Sequence, residues 1–192
     1  MVAILDYKSG NIRSVKNALD RLGYDSIITN CESDIERATH IILPGVGDAY
    51  NVMNYLIKSN LYSVIKSISS PVLGICIGMQ ILCASSQEGN VQCLNLFDIP
   101  VKKLESSQKL PHMGWNRVYD LRSPLFNGVN EGEWFYFVHS YAPILSQNSI
   151  ATTNYGVEFS AALNKQNFYG TQFHPEKSGD VGLKVLSNFL IM

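Results

Sequence analysis

Residues 71–84 read PVLGICIGMQILCA. The apolar run Val72–Leu73–Gly74–Ile75 is continuous rather than alternating, as in a strand buried on both faces, and IGMQILCAS after it reads as a helix. Between them Cys76 sits with Gly74 and Gly78 two residues to either side. That is the shape of a nucleophile elbow, in which a sharp strand-to-helix turn presents one side chain above the sheet. Glycines there relieve the crowding of the turn. A helix starting at Ile77 would aim its free N–H groups and positive dipole end at the Cys76 sulfur, which favours the thiolate. A buried cysteine in a glycine-containing turn fits these five residues equally well, so the rest of the chain has to decide.

Upstream, VAIL (2–5), SIIT (26–29) and HIIL (40–43) read as further buried strands. Between the first two lies NIRSVKNALDRLGY, with Ile12, Val15, Leu19 and Leu22 at helical spacing and Gly23 as a C-terminal stop. Residues 51–57 and 61–68 read as helices with a break between them. This alternation predicts parallel strands with helices on both faces. After Glu88 the texture changes: FDIPVKKL, NRVYDL, EWFYFVHSYA, SIATTNY, FSAALN and FYGTQF are strand-like, and LKVLSNFLIM closes the chain at helical spacing. The expected fold is α/β: an open, largely parallel central sheet with flanking helices and additional β-strands in the second half. No linker or repeat divides the 192 residues, so one domain over 1–192 is expected.

Composition removes several function classes. A formal charge of −1 from 15 basic and 16 acidic residues, with no basic block, argues against nucleic acid. No apolar run is long enough to span a bilayer, and MVAILDYKSG lacks the pattern of a signal peptide, so a cytoplasmic setting is expected and no membrane. Cys31, Cys76, Cys83 and Cys93 match neither a zinc spacing nor C-x-x-C, and no metal or cofactor is expected. Cys83, two helical turns past Cys76 if one helix holds both, reads as a small core hydrophobe, as do Cys31 and Cys93.

A thiol nucleophile needs a base, and His174 in YGTQFHPEKSG is the candidate among His40, His112, His139 and His174. Pro175 biases His174 toward an extended conformation. Residues i and i+2 of an extended chain point the same way, so Glu176 would run beside His174 and orient its ring.

GICIGMQ paired with QFHPEKS resembles the signature of the class I (triad) glutamine amidotransferases, a flavodoxin-like α/β family. LDYKSGNIRSV, KLPHMGWNRV and FYFVHSYA narrow the resemblance to the glutaminase subunits of imidazole glycerol phosphate synthase, over essentially the whole chain. The resemblance implies L-glutamine as substrate and Cys76, His174 and Glu176 as the triad. It implies an oxyanion hole from the backbone of Ile77 and of Val46 and Gly47 in PGVG, and glutamine held by Gln80, Glu88, Ser140 and Tyr141. It further implies a heterodimer with a cyclase subunit, a (β/α)₈ barrel that receives the ammonia, contacted through Asn11, Pro111, Met113, Trp115, His139 and Lys177. Composition alone would place Met113 and Trp115 in the core; the resemblance places them at the interface.

Overall fold

The computed structural model describes residues 1–7 and 12–192. Its first half runs β1 (Val2–Leu5), α1 (Ile12–Arg21), β2 (Ser26–Thr29), α2 (Glu32–Arg37), β3 (His40–Leu43), α3 (Ala49–Lys58), α4 (Leu61–Ser67), β4 (Val72–Ile75) and α5 (Ile77–Leu82). The second half is mostly strand: β5 (Ser85–Ser86), β6 (Val91–Gln92), β7 (Pro100–Lys103), β8 (His112–Val118), β9 (Glu133–His139), β10 (Tyr141–Pro143), β11 (Ser149–Asn154), β12 (Glu158–Lys165) and β13 (Phe168–Thr171), before α6 (Gly179–Phe189). No helix among the described residues is long and apolar enough to cross a membrane.

The central sheet has seven strands in the order β11-β12-β13-β4-β3-β1-β2. The five from β13 to β2 are parallel, while β12 and β11 are antiparallel additions. Alternate side chains divide between two apolar layers, as the period of a strand requires. Ala3, Leu5, Ile41, Leu43 and Val72 pack with α2, α3, α4 and α5, whereas Val2, Ile4, Ile42, Leu73 and Ile75 pack with α1 and α6. This is the expected α/β architecture. Its consequence for the site is positional: β3, β4 and β13 are neighbours, so PGVG, GICIG and QFHPE all leave the sheet at adjacent carboxyl ends. Open parallel sheets bind ligands at that edge.

Four local expectations need correction. Cys31 is exposed rather than a core hydrophobe, because it sits at the start of α2 with its sulfur 3.2 Å from Ser33 Oγ. Helix α2 was not foreseen, because one buried residue, Ile35, is its whole apolar signal. Helix α5 stops at Leu82, and Cys83 is extended (φ −73°, ψ 179°), so Cys83 does not share a helix face with Cys76. The incoming loop 94–97 ends it by taking its last carbonyls. Leu94 N–H donates to Ile81 O, and Leu96 and Phe97 N–H donate to Leu82 O, each within 3.0 Å. Helix α6 begins at Gly179, four residues before the apolar spacing becomes visible.

Strands β8 and β9 form a separate antiparallel ribbon, with Met113 opposite Val138, Trp115 opposite Tyr136 and Arg117 opposite Trp134. Those six side chains share the outer face. Met113, Trp115 and Trp134 are 62%, 53% and 47% exposed, so Met113 and Trp115 are surface residues and not core. The inner face carries His112, Phe135, Phe137 and His139, all buried.

Candidate active site

Cys76 adopts φ 50°, ψ −107°, a conformation an L-residue takes only when its surroundings impose it. They do so by close packing. A Cβ on Gly78 would stand 2.1 Å from the Leu43 carbonyl oxygen, and one on Gly74 would stand 2.5 Å from that of Gly78. On the other side a Cβ on Gly45 would meet Ile75 O at 2.5 Å and the Cys76 Cβ at 2.9 Å. Three glycines therefore let β3, the elbow and α5 touch backbone to backbone. The Cys76 N–H donates to Thr171 O at 2.7 Å, which ties the elbow to the end of β13 as well.

His174 follows β13 and is wholly buried. Its N–H donates to Tyr136 O at 2.9 Å, and its carbonyl accepts from Ser178 Oγ at 2.7 Å. Nδ1 lies 2.8 Å from Glu176 Oε1. The expected pairing forms, but by another route: Pro175–Lys177 is a 3₁₀ turn rather than a continuing extended chain. Nε2 has no partner within strict hydrogen-bond geometry, yet the Cys76 sulfur acts on the ring at looser range. Burial alone would lower the basicity of His174. The sulfur of Cys76, through charge and hydrogen bonding, and then the Glu176 carboxylate overcome this and raise its pKa to about 10. The ring is therefore an imidazolium at neutral pH, a proton donor held beside a sulfur.

A cavity of about 210 Å³ opens beside Cys76, lined by Gly47, Ile77, Gln80, Glu88, Pro111 and the segment Val138–Tyr141. That is below the roughly 300–1,000 Å³ of clefts for drug-sized ligands and suits something the size of an amino acid. Gln80 Nε2 donates to Tyr141 O at 2.8 Å and to Gln172 Oε1 at 3.1 Å, so only its Oε1 is left to face a ligand. Glu88 Oε2 accepts from Ala49 N–H at 3.2 Å; burial pushes its pKa up, the Ala49 N–H works against this, and the Asp48 charge adds to it. Gly47 holds φ 128°, a value that favours glycine. The carbonyl of Pro44, at the start of the same loop, accepts from the Tyr7 hydroxyl.

The structure thus gathers Cys76, His174, Glu176, Ile77, Gly47, Gln80, Glu88, Ser140, Tyr141, Pro111 and His139 around one centre. Val46 is the half-buried neighbour of Gly47. Met113, Trp115 and Lys177 lie outside the cavity, and the Lys177 Nζ sits 5.8 Å from the centroid of the Tyr136 ring. Asn11 lies outside the described residues. Sequence reasoning missed Gln172, which is fully buried and whose Nε2 is 3.5 Å from the Cys76 sulfur. It also missed His112, whose Nδ1 is 3.1 Å from His139 Nε2. His139 Nδ1 donates in turn to Tyr141 O at 2.9 Å. Burial pushes His112 down to about 4; burial, with the neighbouring His112 charge, pushes His139 down to about 3. Both rings are neutral at neutral pH, in contrast with His174. Burial also raises the thiols of Cys83 and Cys93, the latter to about 12, which leaves them inert.

A strained cysteine elbow, a charged histidine and its carboxylate at the edge of a parallel sheet have the chemistry that cysteine-dependent acyl transfer requires. The class-I glutamine amidotransferase family matches residues 3–192, and the chain belongs to that family. It is 49% identical over 192 residues to "Imidazole glycerol phosphate synthase subunit HisH" of Bacteroides fragilis (strain YCH46), covering 98% of each chain. Proteins of the same name from Yersinia pseudotuberculosis (46% identity, 100% of this chain and 99% of the relative) and Haemophilus influenzae (47%, 98% and 96%) are similar over their full length too. Among solved structures, PurLQS from Thermotoga maritima superposes with a TM-score of 0.76 at 20% identity, covering 99% of this chain and 97% of that one. That likeness is one of fold.

Proposed function

We propose that this chain is the glutaminase subunit of imidazole glycerol phosphate synthase, working as one domain over residues 1–192. Its full-length likeness to the HisH subunits carries the reading. The chain would hydrolyse L-glutamine and pass the ammonia to a (β/α)₈-barrel cyclase subunit, which makes imidazole glycerol phosphate and an aminoimidazole carboxamide ribotide in histidine biosynthesis. A cytoplasmic setting agrees with four cysteines that are all free.

In this mechanism the Cys76 thiolate attacks the side-chain amide carbon of glutamine. The oxyanion is met by the backbone N–H of Ile77 and one from the Val46–Gly47 peptide. The His174 imidazolium gives its proton to the amide nitrogen, the C–N bond breaks, and ammonia leaves with a glutamyl thioester on Cys76. His174, now neutral, takes a proton from water; the hydroxide adds to the thioester, the C–S bond breaks, and glutamate leaves with the thiolate restored. Glu176 holds the ring in orientation throughout. Gln80 Oε1 and the Glu88 carboxylate are both acceptors, suited to the α-ammonium of the substrate, while N–H groups of the Ser140–Tyr141 backbone suit its carboxylate. Ammonia protonated in water would cease to be a nucleophile, so its transfer has to be direct.

The outer face of β8 and β9 is the proposed docking surface for the cyclase, with Lys177 at its margin. Aromatic residues and Met are enriched at interfaces, and aromatic anchors dominate their energetics. Pro111 and His139, which line the cavity at the inner edge of this ribbon, would stand where ammonia leaves.

The experiment is a glutaminase assay of the chain with and without the cyclase, joined to mass mapping of a glutamine-like diazo-ketone adduct. An adduct on Cys76, absent in His174→Ala, is the expected result, with hydrolysis much faster in the complex. Absence of an adduct in both conditions overturns the enzymatic reading. Equal rates in both overturn activation by the partner.

A further inference from the structure

We infer that Gln172 is a further catalytic residue: its side-chain amide donates a hydrogen bond to the Cys76 sulfur and holds it as the anionic nucleophile. The inference rests on the proposed role of Cys76 and adds a residue to that site. The direction of this bond follows from the neighbouring atoms. The Tyr141 carbonyl can only accept, so the end of Gln80 lying 2.8 Å from it is the NH₂ group. The same NH₂ group lies 3.1 Å from the side chain of Gln172, so the atom it meets there is Oε1. The other end of Gln172, 3.5 Å from Cys76 Sγ, is consequently Nε2, a donor. Reversing either amide would set donor against donor or acceptor against acceptor.

The anchor at the far end is firm. Tyr141 O receives Gln80 Nε2 and also His139 Nδ1 at 2.9 Å, which uses both of its lone pairs. Gln172 is fully buried, and its own N–H is held by Ala161 O at 2.8 Å. A buried amide donor is costly to leave without a partner, so this one is committed to the sulfur. Donation to a charged atom favours the charged form. The bond therefore assists twice: when the thiolate forms before attack, and when it leaves the thioester. His174 supplies the proton on one flank of the sulfur while Gln172 fixes its position from another.

The test reads thiol reactivity rather than glutamine turnover. Cys31 is exposed and serves as a reference thiol in the same molecule. The chain is alkylated with iodoacetamide over a pH series, and adducts on Cys76 and Cys31 are counted by mass spectrometry. In Gln172→Met the Cys76-to-Cys31 ratio at neutral pH should fall about tenfold, the value of one charge-assisted hydrogen bond. The Cys76 profile should also move to higher pH, with kcat lowered and KM for glutamine little changed. If Gln172→Met does not fold, two other variants carry the test. Gln172→Glu keeps the acceptor for Gln80 but turns an oxygen toward the sulfur, and Gln80→Met leaves Gln172 present but unanchored. A ratio and profile equal to the parent's in whichever variant folds overturns the inference. That result would leave Cys76 reactive and the parent active, whereas failure of the proposed function would show as a parent Cys76 that glutamine analogues never label.

Discussion

His174 Nδ1 and Glu176 Oε1 lie 2.8 Å apart with both side chains sealed from solvent. The ring can keep only one orientation there, with Nε2 turned to Cys76. Glu176→Gln retains the shape but offers an amide that can satisfy the wrong tautomer. It should lower kcat roughly 10²-fold or more with a modest change in KM, as steady-state glutaminase assays of the complex will register.

The sulfur contributes more than the carboxylate to keeping His174 charged. The His174 titration, followed by NMR of the ring, should therefore fall further in Cys76→Ala than in Glu176→Gln. The reverse order would mean that the carboxylate governs the ring.

Stability should depend on pH in two opposite ways. His174 is raised from about 6.5 to about 10, so its contribution is fully present below 6.5 and is lost as pH rises through 10. His112 and His139 are lowered to about 4 and about 3, so the unfolded chain binds their protons first and stability falls as pH drops from 6.5 toward that range. Urea unfolding across pH 3.5–10.5 should trace both limbs. His174→Gln should flatten the alkaline limb alone.

The elbow tolerates no added methyl group where backbone meets backbone. Gly78→Ala sets a Cβ 2.1 Å from Leu43 O, while Gly170→Ala meets the flexible Met79 side chain at 2.3 Å. Gly78→Ala should cost roughly 3 kcal/mol or more and Gly170→Ala about 1–2, since a methionine can move and a β-strand carbonyl cannot. Equilibrium unfolding of the two variants compares them directly.

On the ribbon, Trp115→Ala and Trp134→Ala should leave folding within about 0.5 kcal/mol, as exposed positions do. Each should weaken cyclase binding about tenfold or more. Calorimetric titration of the complex measures this, and unchanged affinity in both would move the docking surface elsewhere.

Much of this architecture was legible in the sequence because its signals are local. Continuous apolar runs marked the parallel strands, and five residues around Cys76 marked the elbow. Gln172 stood in a quoted motif yet carried no signal, because its role depends on contacts with Gln80 and Cys76, remote in sequence. The length of α5 was hidden for the same reason: its end is set by N–H groups of residues 94–97. The alternation in HMGWNRV shows that the strand has two faces but not which one is covered. Only the partner strand β9, with Phe135 and Phe137 turned inward, settles that.

A strand with one wet face and one dry face separates two kinds of inheritance along a single backbone. On β9, Phe135, Phe137 and His139 are buried while Trp134 and Tyr136 face outward; on β8 the outward positions are Met113, Trp115 and Arg117. On the proposed reading, substitutions at those outward positions change what the ribbon meets while the buried layer one residue away stays as it is.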